Sequence, residues 1–354
     1  MKRNSQKLLR NEMKKNAEYR NILIIQTAFL GDVILTTPLI RATQELFPLS
    51  DIDVLVIPET ATVLANNPYI RNIYTFDKRA NKKAAFFSMI REIRNHHYDL
   101  GITPHKSMTS AQLLWLGGVK RRIGFAGNAA SLLYTDRIKF NPTKAQIVRN
   151  LDLLTTFTSR RFSSQTDIYF DKEIKGKAAV LLQPFQKFSN RIAIAPGSVW
   201  ATKRWPEEKY IELAARLKKH DVLLVFIGSV DEWGLCQRII DASRTSQAIN
   251  LAGKTNLLEA AALTAACHLM ICNDSGALHL ANAVKTDVFA FFGPTVRSFG
   301  FAPFRENDRV FESEISCRPC STHGGDECPL KHFNCMQNIS VERVYRSICD
   351  HLSL

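Results

Sequence analysis

The chain predicts an α/β protein built from two Rossmann-like domains, with parallel sheets facing a central cleft. Three observations carry this. The stretch CHLMICNDSGALHLANAVKTDVFAFFGPT, Cys267 to Thr295, opens on a short apolar run (His268 to Cys272) and turns through Asn273, Asp274, Ser275 and Gly276. It continues as an Ala- and Leu-rich helix and closes on a second apolar run, Val288 to Phe292. Strand, polar turn, helix, strand is the βαβ unit of a parallel sheet. The same alternation fills the first half of the chain from Asn21 onward. It then restarts at Arg191 after a polar, poorly patterned stretch, and 354 residues suit two domains of ordinary size.

In chain order, Asn21–Gln26 (NILIIQ) is a continuous apolar strand. Thr27 to Asp32 form a loop, and a helix runs from there to Phe47, with Pro38 in its first turn or at a kink. Ile52–Ile57 is the second strand and Tyr74–Asp77 the third, followed by a helix from Lys82 to Asn95. Asp99–Pro104 is a strand ending in His105, Lys106 and Ser107. Ala111–Leu116 is helical and Arg121–Phe125 extended. The second half starts with the strand Arg191–Ala195. Pro206 followed by Glu207 and Glu208 marks the start of a helix running to about Lys219. Val222–Ser229 is a strand, a helix begins at Asp231, and NLAG leads through Thr255–Leu263 to the βαβ unit. The domains are therefore set at 21–185 and 186–340. A basic arm (1–20) precedes them, and a terminal helix (341–354) is expected to pack back across the first domain.

Bulk properties narrow the function. No run of about 18 apolar residues exists, which excludes a spanning helix. The first twenty residues carry seven Lys/Arg against two Glu and lack an apolar core, so they do not read as a secretory signal. The formal net charge of +14 points to an anionic partner: a phosphorylated sugar, an acidic lipid surface or nucleic acid. No helix-turn-helix, zinc-finger or RNP pattern accompanies the charge, which disfavours nucleic acid. Of eight cysteines, four are clustered as C-x2-C-x7-C-x6-C: Cys317, Cys320, Cys328 and Cys335. The cluster is either a Cys-rich loop or a structural zinc site.

The chemistry is expected where strands end. A helix amino terminus offers unpaired N–H groups to an anion, and the Asn273–Gly276 turn is such a place. Helix capping is the competing explanation of the same residues. Gly197 and Ser198 follow one strand, Asp231 and Glu232 another, and Asp274 to Gly276 a third. Backbone amides, a hydroxyl and Lys203 suit a diphosphate, and a carboxylate suits a ribose diol. Lys203 reads either as the cation that offsets charge on a departing diphosphate or as a surface lysine ahead of a helix. His279 lies one turn into the helix near the same mouth. In the first half Asp32 reads either as a base for an incoming hydroxyl or as a helix cap. Lys106, Arg121 and Arg122 are candidates for an acidic acceptor or plain surface charge. The Asp51-Ile52-Asp53 string reads as structural. The G-x-G-x-x-G turn of nicotinamide and flavin sites is missing, and so is a G-x-x-x-x-G-K-[ST] loop.

LGDVILTTPLIRAT, PGSVWATKRWPEEKY and NDSGALHLANAVKTDVFAFFGPT together resemble the bacterial lipopolysaccharide heptosyltransferases, ADP-heptose-dependent glycosyltransferases of GT-B fold. The Cys-Arg-Pro-Cys string is most similar to the heptosyltransferase II branch. The resemblance implies inverting transfer of heptose from ADP-heptose to the anionic inner core of lipopolysaccharide, with no cofactor required for catalysis. It implies a cytoplasmic protein in peripheral contact with the inner membrane. It implies Asp32 as general base and Lys203 on the donor phosphates. Ser198, Asp274, Ser275, Gly276 and His279 would bind the donor; Thr202 and Glu232 are candidates for the same donor site from their placement, and Lys106, Arg121 and Arg122 for the acceptor. Three alternatives stand beside it: a related transferase with another acceptor or heptosyl position, a non-catalytic binder of an anionic surface or nucleic acid, and a sugar-nucleotide epimerase or dehydrogenase. The missing glycine turn speaks against the last.

Overall fold

A parallel strand needs a crossover back to its neighbour, and a helix supplies it. In the computed structural model this rule is followed twice. Residues 19–77 and 82–354 are described; the basic arm, apart from Tyr19 and Arg20, lies outside them. The chain divides between Tyr169 and Phe170 into two units.

The first unit holds strands β1 Asn21–Ile25, β2 Asp51–Val56, β3 Asn72–Thr75, β4 Leu100–Ile102, β5 Arg121–Phe125 and β6 Asp136–Ile138. Its helices are α1 Leu30–Ile34, α2 Thr37–Leu46, α3 Pro58–Ala61, α4 Lys82–Asn95, α5 Met108–Leu116 and α6 Gln146–Asp152. All strand pairs are parallel, in the order β3-β2-β1-β4-β5-β6. Apolar β1 lies at the centre, with Ile22 to Ile25 fully buried. The predicted helix after β1 is two helices. The first already contains Asp32, and Pro38 opens the second. Asp53, buried within β2, is structural, as expected. Burial opposes its charge, but Arg71, Tyr98 and Asn72 bond the carboxylate and hold it below the usual range.

The second unit holds α7 Lys172–Leu182, β7 Asn190–Ala195, α8 Glu207–Leu217, β8 Val222–Phe226, α9 Trp233–Ser243, β9 Ala248–Asn250, α10 Leu257–Ala265, β10 Leu269–Asn273, α11 Gly276–Ala283, β11 Asp287–Phe292, β12 Arg309–Glu312, α12 Asn334–Gln337 and α13 Val341–Leu352. Its sheet is again wholly parallel, ordered β12-β11-β10-β7-β8-β9. Counted from each unit's first strand, both sheets run 3-2-1-4-5-6. That order puts the first and fourth strands side by side, with crossovers leaving in opposite directions, and opens a crevice at their carboxyl ends.

Two boundaries differ from the sequence expectation. The division falls well before residue 185 because α7 packs on α10, with Lys177 Nζ 3.4 Å from Glu259 Oε1. The chain just before it is fastened to α2 of the first unit, where Arg41 donates to the carbonyls of Ser163 and Gln165. The terminal helix α13 belongs to the second unit. Its Val344 and Ile348 are buried in the second core beside α8, and Tyr345 bonds His220 at 2.7 Å.

Candidate functional site

In the second unit the crevice between β7 and β10 gathers most of the expected residues. Asn273, the last residue of β10, is fully buried and fastens the turns together. Its amide nitrogen donates to the carbonyls of Pro196 (2.8 Å) and Gly197 (3.1 Å), and its oxygen accepts from Trp205 N (2.9 Å) and Tyr210 Oη (3.2 Å). The loop after β7 is thereby bound to the end of β10. On its other side the Glu232 carboxylate lies over Gly197. A Cβ there would meet Glu232 Oε1 at 1.7 Å, so any larger residue would have to displace the Glu232 carboxylate. Glu232 also accepts from Ser229 N at 2.7 Å, which fixes it at the end of β8. Ser198 is buried beside them, its carbonyl accepting from Arg204 Nε at 2.9 Å.

The centre of the site is a buried ion pair. Lys203 Nζ stands 2.7 Å from Asp274 Oδ2, and Thr295 Oγ1 donates to the same oxygen at 2.6 Å. Both side chains of the pair are nearly enclosed. Breaking such a pair leaves a charge in low dielectric, at a cost of about 3–5 kcal/mol. Ser275 caps α11 in extended conformation, but its hydroxyl makes no capping bond, so the amino end of the helix from Gly276 keeps N–H groups for another acceptor. His279, in the same helix, is 5% exposed, and its Nδ1 has no hydrogen-bond partner among the described residues. Burial pushes this imidazole down to about 4; Lys203 pushes the same way and Asp274 opposes. His279 is therefore neutral at pH 7, one buried ring nitrogen unspent.

Thr202 is placed differently from expectation. Its hydroxyl exchanges hydrogen bonds with Gly325, donating to the carbonyl and accepting from the amide, each at 2.8 Å. It holds a loop of the Cys-rich segment and does not point a hydroxyl at a ligand.

In the first unit, Asp32 is the third residue of α1, directly after β1. It is half-buried and lies inside the first turn; Phe29 takes the cap position. Across the crevice from β1, the end of β4 brings His105 Nδ1 to 3.3 Å from Thr27 Oγ1, which lies 3.4 Å from Ser110 Oγ. Lys106 sits on the same loop with its ammonium 3.7 Å from the Phe140 ring centroid. Arg121 and Arg122 do not join them. They lie at the amino end of β5, the opposite edge from the crevice. Arg121 grips Asp136 through two nitrogens, at 3.0 and 2.7 Å, and Arg122 donates to the carbonyls of Leu133 and Val119. Both are braces of the sheet edge, and the acceptor role expected of them is withdrawn.

For Cys317, Cys320, Cys328 and Cys335 the sequence left a Cys-rich loop or a structural zinc site. Among the described residues no three His, Cys, Asp or Glu side chains are grouped so as to hold a metal ion. Cys335 is turned into the core beside Met336, whereas Cys320 is exposed. Cys236 and Cys267 are buried, which pushes each thiol up to about 12 and leaves it inert.

Sequence reasoning missed Thr295 and Arg318. Thr295 stood in the quoted Phe-Gly-Pro-Thr string but had no role. Arg318 was hidden inside a cysteine pattern.

The pattern of glycosyltransferase family 9 (heptosyltransferase) matches residues 86–331. The lipooligosaccharide heptosyltransferase 2 of Haemophilus ducreyi is 28% identical over 295 residues, covering 78% of this chain and 84% of that protein. The lipopolysaccharide heptosyltransferase 3 of Escherichia coli K12 is 28% identical over 292 residues, covering 78% and 83%. The solved structure of E. coli heptosyltransferase WaaC with ADP superposes with a TM-score of 0.73 at 19% identity, covering 94% of this chain and 99% of that one; its likeness is one of fold. With the family pattern spanning well over half of its length, this chain is a glycosyltransferase and belongs to family 9, the heptosyltransferase family.

Proposed function

We propose that the protein is an inverting heptosyltransferase of the type II branch, moving heptose from ADP-heptose to the anionic inner core of lipopolysaccharide at the cytoplasmic face of the inner membrane. The observation that carries this is the enclosed Lys203–Asp274 pair at the mouth of α11, with the unspent nitrogen of His279 beside it. A fixed ammonium next to free helix N–H groups suits a diphosphate, and a neutral imidazole can hydrogen-bond a sugar hydroxyl without a competing charge. Ser198, Ser275 and Gly276 are assigned to the phosphates, and Glu232, Asp274 and His279 to the rest of the donor. That WaaC is solved with ADP, on the same fold, supports ADP as the nucleotide. A relative named as type 3 is as similar as one named as type 2, so the type II assignment rests on the Cys-Arg-Pro-Cys string.

In the proposed step the acceptor hydroxyl oxygen bonds to the anomeric carbon as the bond from that carbon to the diphosphate oxygen breaks. Asp32 takes the hydroxyl proton, ADP leaves with the bonding pair, and the configuration inverts. Lys203 offsets the charge that grows on the leaving phosphate, a contribution of about 3 kcal/mol for one well-placed donor. Lys106 is assigned to the acid groups of the acceptor.

The test supplies purified protein with ADP-heptose and a heptosylated core acceptor and follows ADP release. Transfer should require both substrates, and Asp32→Asn should lower kcat about 100-fold or more with ADP affinity retained. An Asp32→Ala variant with full activity refutes the base assignment. Absence of ADP release with mono- and diheptosyl acceptors refutes the transfer reading.

A further inference from the structure

The Cys-rich loop between β12 and α12 holds no metal cluster among the described residues, yet it reaches both members of the central ion pair. On one side Arg318, nearly buried at 7% side-chain exposure, donates to the carbonyls of Ser313 (2.6 Å), Thr295 (2.8 Å) and Gly293, and to the Glu312 carboxylate (2.9 Å). Two of those carbonyls belong to the turn that follows β11, and Cys320 N bonds the third residue of that turn, Pro294, at 3.2 Å. The turn is thus held at every residue, and it ends in Thr295, whose hydroxyl donates to Asp274. On the other side, Gly325 clasps Thr202, the residue before Lys203, through side chain and main chain: Thr202 N also donates to the Gly325 carbonyl, at 3.0 Å. Gly324 lies against the Lys203 stem with φ +95°, and a Cβ on it would stand 3.2 Å from Lys203 Cγ and 2.9 Å from Trp200 Cβ.

We infer that this loop is a brace for the donor site: Arg318 and Thr295 are positioning residues that set the Asp274 carboxylate, and through it the Lys203 ammonium, for the donor diphosphate. The inference rests on the reading that a nucleoside diphosphate binds at this pair. The physical logic is preorganisation. An ammonium on a four-carbon stem has rotamer freedom that binding would otherwise have to remove. A carboxylate held by a hydroxyl that is itself fixed removes it beforehand. A guanidinium suits the task because its five donors, set in a rigid planar fork, reach several carbonyls in fixed directions.

Calorimetry of ADP binding to the full chain, together with KM and kcat for the sugar nucleotide, tests this. Thr295→Val keeps shape and removes the hydroxyl, so ADP should bind about ten-fold more weakly, while Thr295→Ser should stay within about two-fold of the parent. Arg318→Lys should weaken ADP in the same direction. The double variant Thr295→Val/Arg318→Lys should be no weaker than Thr295→Val by more than about two-fold, because both act through one contact. Thr295→Val with parental ADP affinity, or strictly additive losses in the double variant, overturns the brace. Should Arg318→Lys fail to fold, the Thr295→Val and Thr295→Ser pair decides alone. A parent chain that does not bind ADP overturns the donor reading and the brace with it, whereas a parent that binds ADP beside an unaffected Thr295→Val overturns the brace only.

Discussion

His279 shows how one side chain's environment fixes its chemistry. An imidazole in water titrates near 6.5, and burial takes this one down to about 4. The folded state therefore favours the neutral ring. The stability that comes from this is complete above pH 6.5 and is lost as pH falls from there toward 4, as the unfolded chain takes up a proton that the folded chain refuses. Two outcomes follow at this scale. The His279 imidazole resonances should stay unchanged between pH 6 and 8, and unfolding free energy should fall between pH 6.5 and 4 with a slope that His279→Asn reduces; a titration of His279 near 6.5 contradicts the buried placement. That Asp274, Lys203 and His279 converge at one crevice was legible in the sequence, because each lies at a fixed offset from a strand end or helix start. Thr202 and Arg121 were misread because their partners, Gly325 and Asp136, come from elsewhere in the chain, and sequence offset does not show what lies across a fold.

Among the elements, the long apolar runs were legible, and three short edge strands were not. NILII, VLLVF and LMICN are buried on both faces and read as central strands. The missed strands, β6 (DRI), β9 (AIN) and β12 (RVFE), have three or four residues and lie at sheet edges. One flank faces solvent or a loop, so little apolar pattern is required of them. The first helix was drawn as one because its composition is continuous; it breaks at Leu35–Thr36, where Pro38 cannot donate back to the preceding turn. The loop after β7 depends on Asn273, which both donates and accepts. Asn273→Ala should cost about 2–4 kcal/mol in urea unfolding, since it orphans buried carbonyl and N–H groups and leaves a cavity. A loss under about 1 kcal/mol would contradict the fastening role.

At the scale of the whole molecule the division into two halves was legible, but its position was not: α7 was read as part of the first half because nothing in its sequence names α10 as its partner. The place of α13 was likewise missed, although its buried Val344 and Ile348 repeat at helical spacing. Ile348→Ala should destabilise by about 2–4 kcal/mol, and this loss should appear in the unfolding of the second unit if the units melt separately. Acid acts on the first unit through the Arg121–Asp136 grip. The Arg121 hydrogen bonds, outweighing burial, hold the Asp136 carboxylate at about 2. Its contribution is present above about pH 4 and fades as pH falls through 2. Asp136→Asn should flatten that part of the acid curve by about 1 kcal/mol, allowing for solvent at the carboxylate; an unchanged curve would contradict it.

Both halves repeat one strand order, and each has a crevice over its own interior packing. On the proposed assignment, the residues that would greet a sugar alcohol in the first half can be reworked without touching the framework that would grip the nucleotide in the second. A lineage built this way can diversify what it decorates while its energy source stays the same.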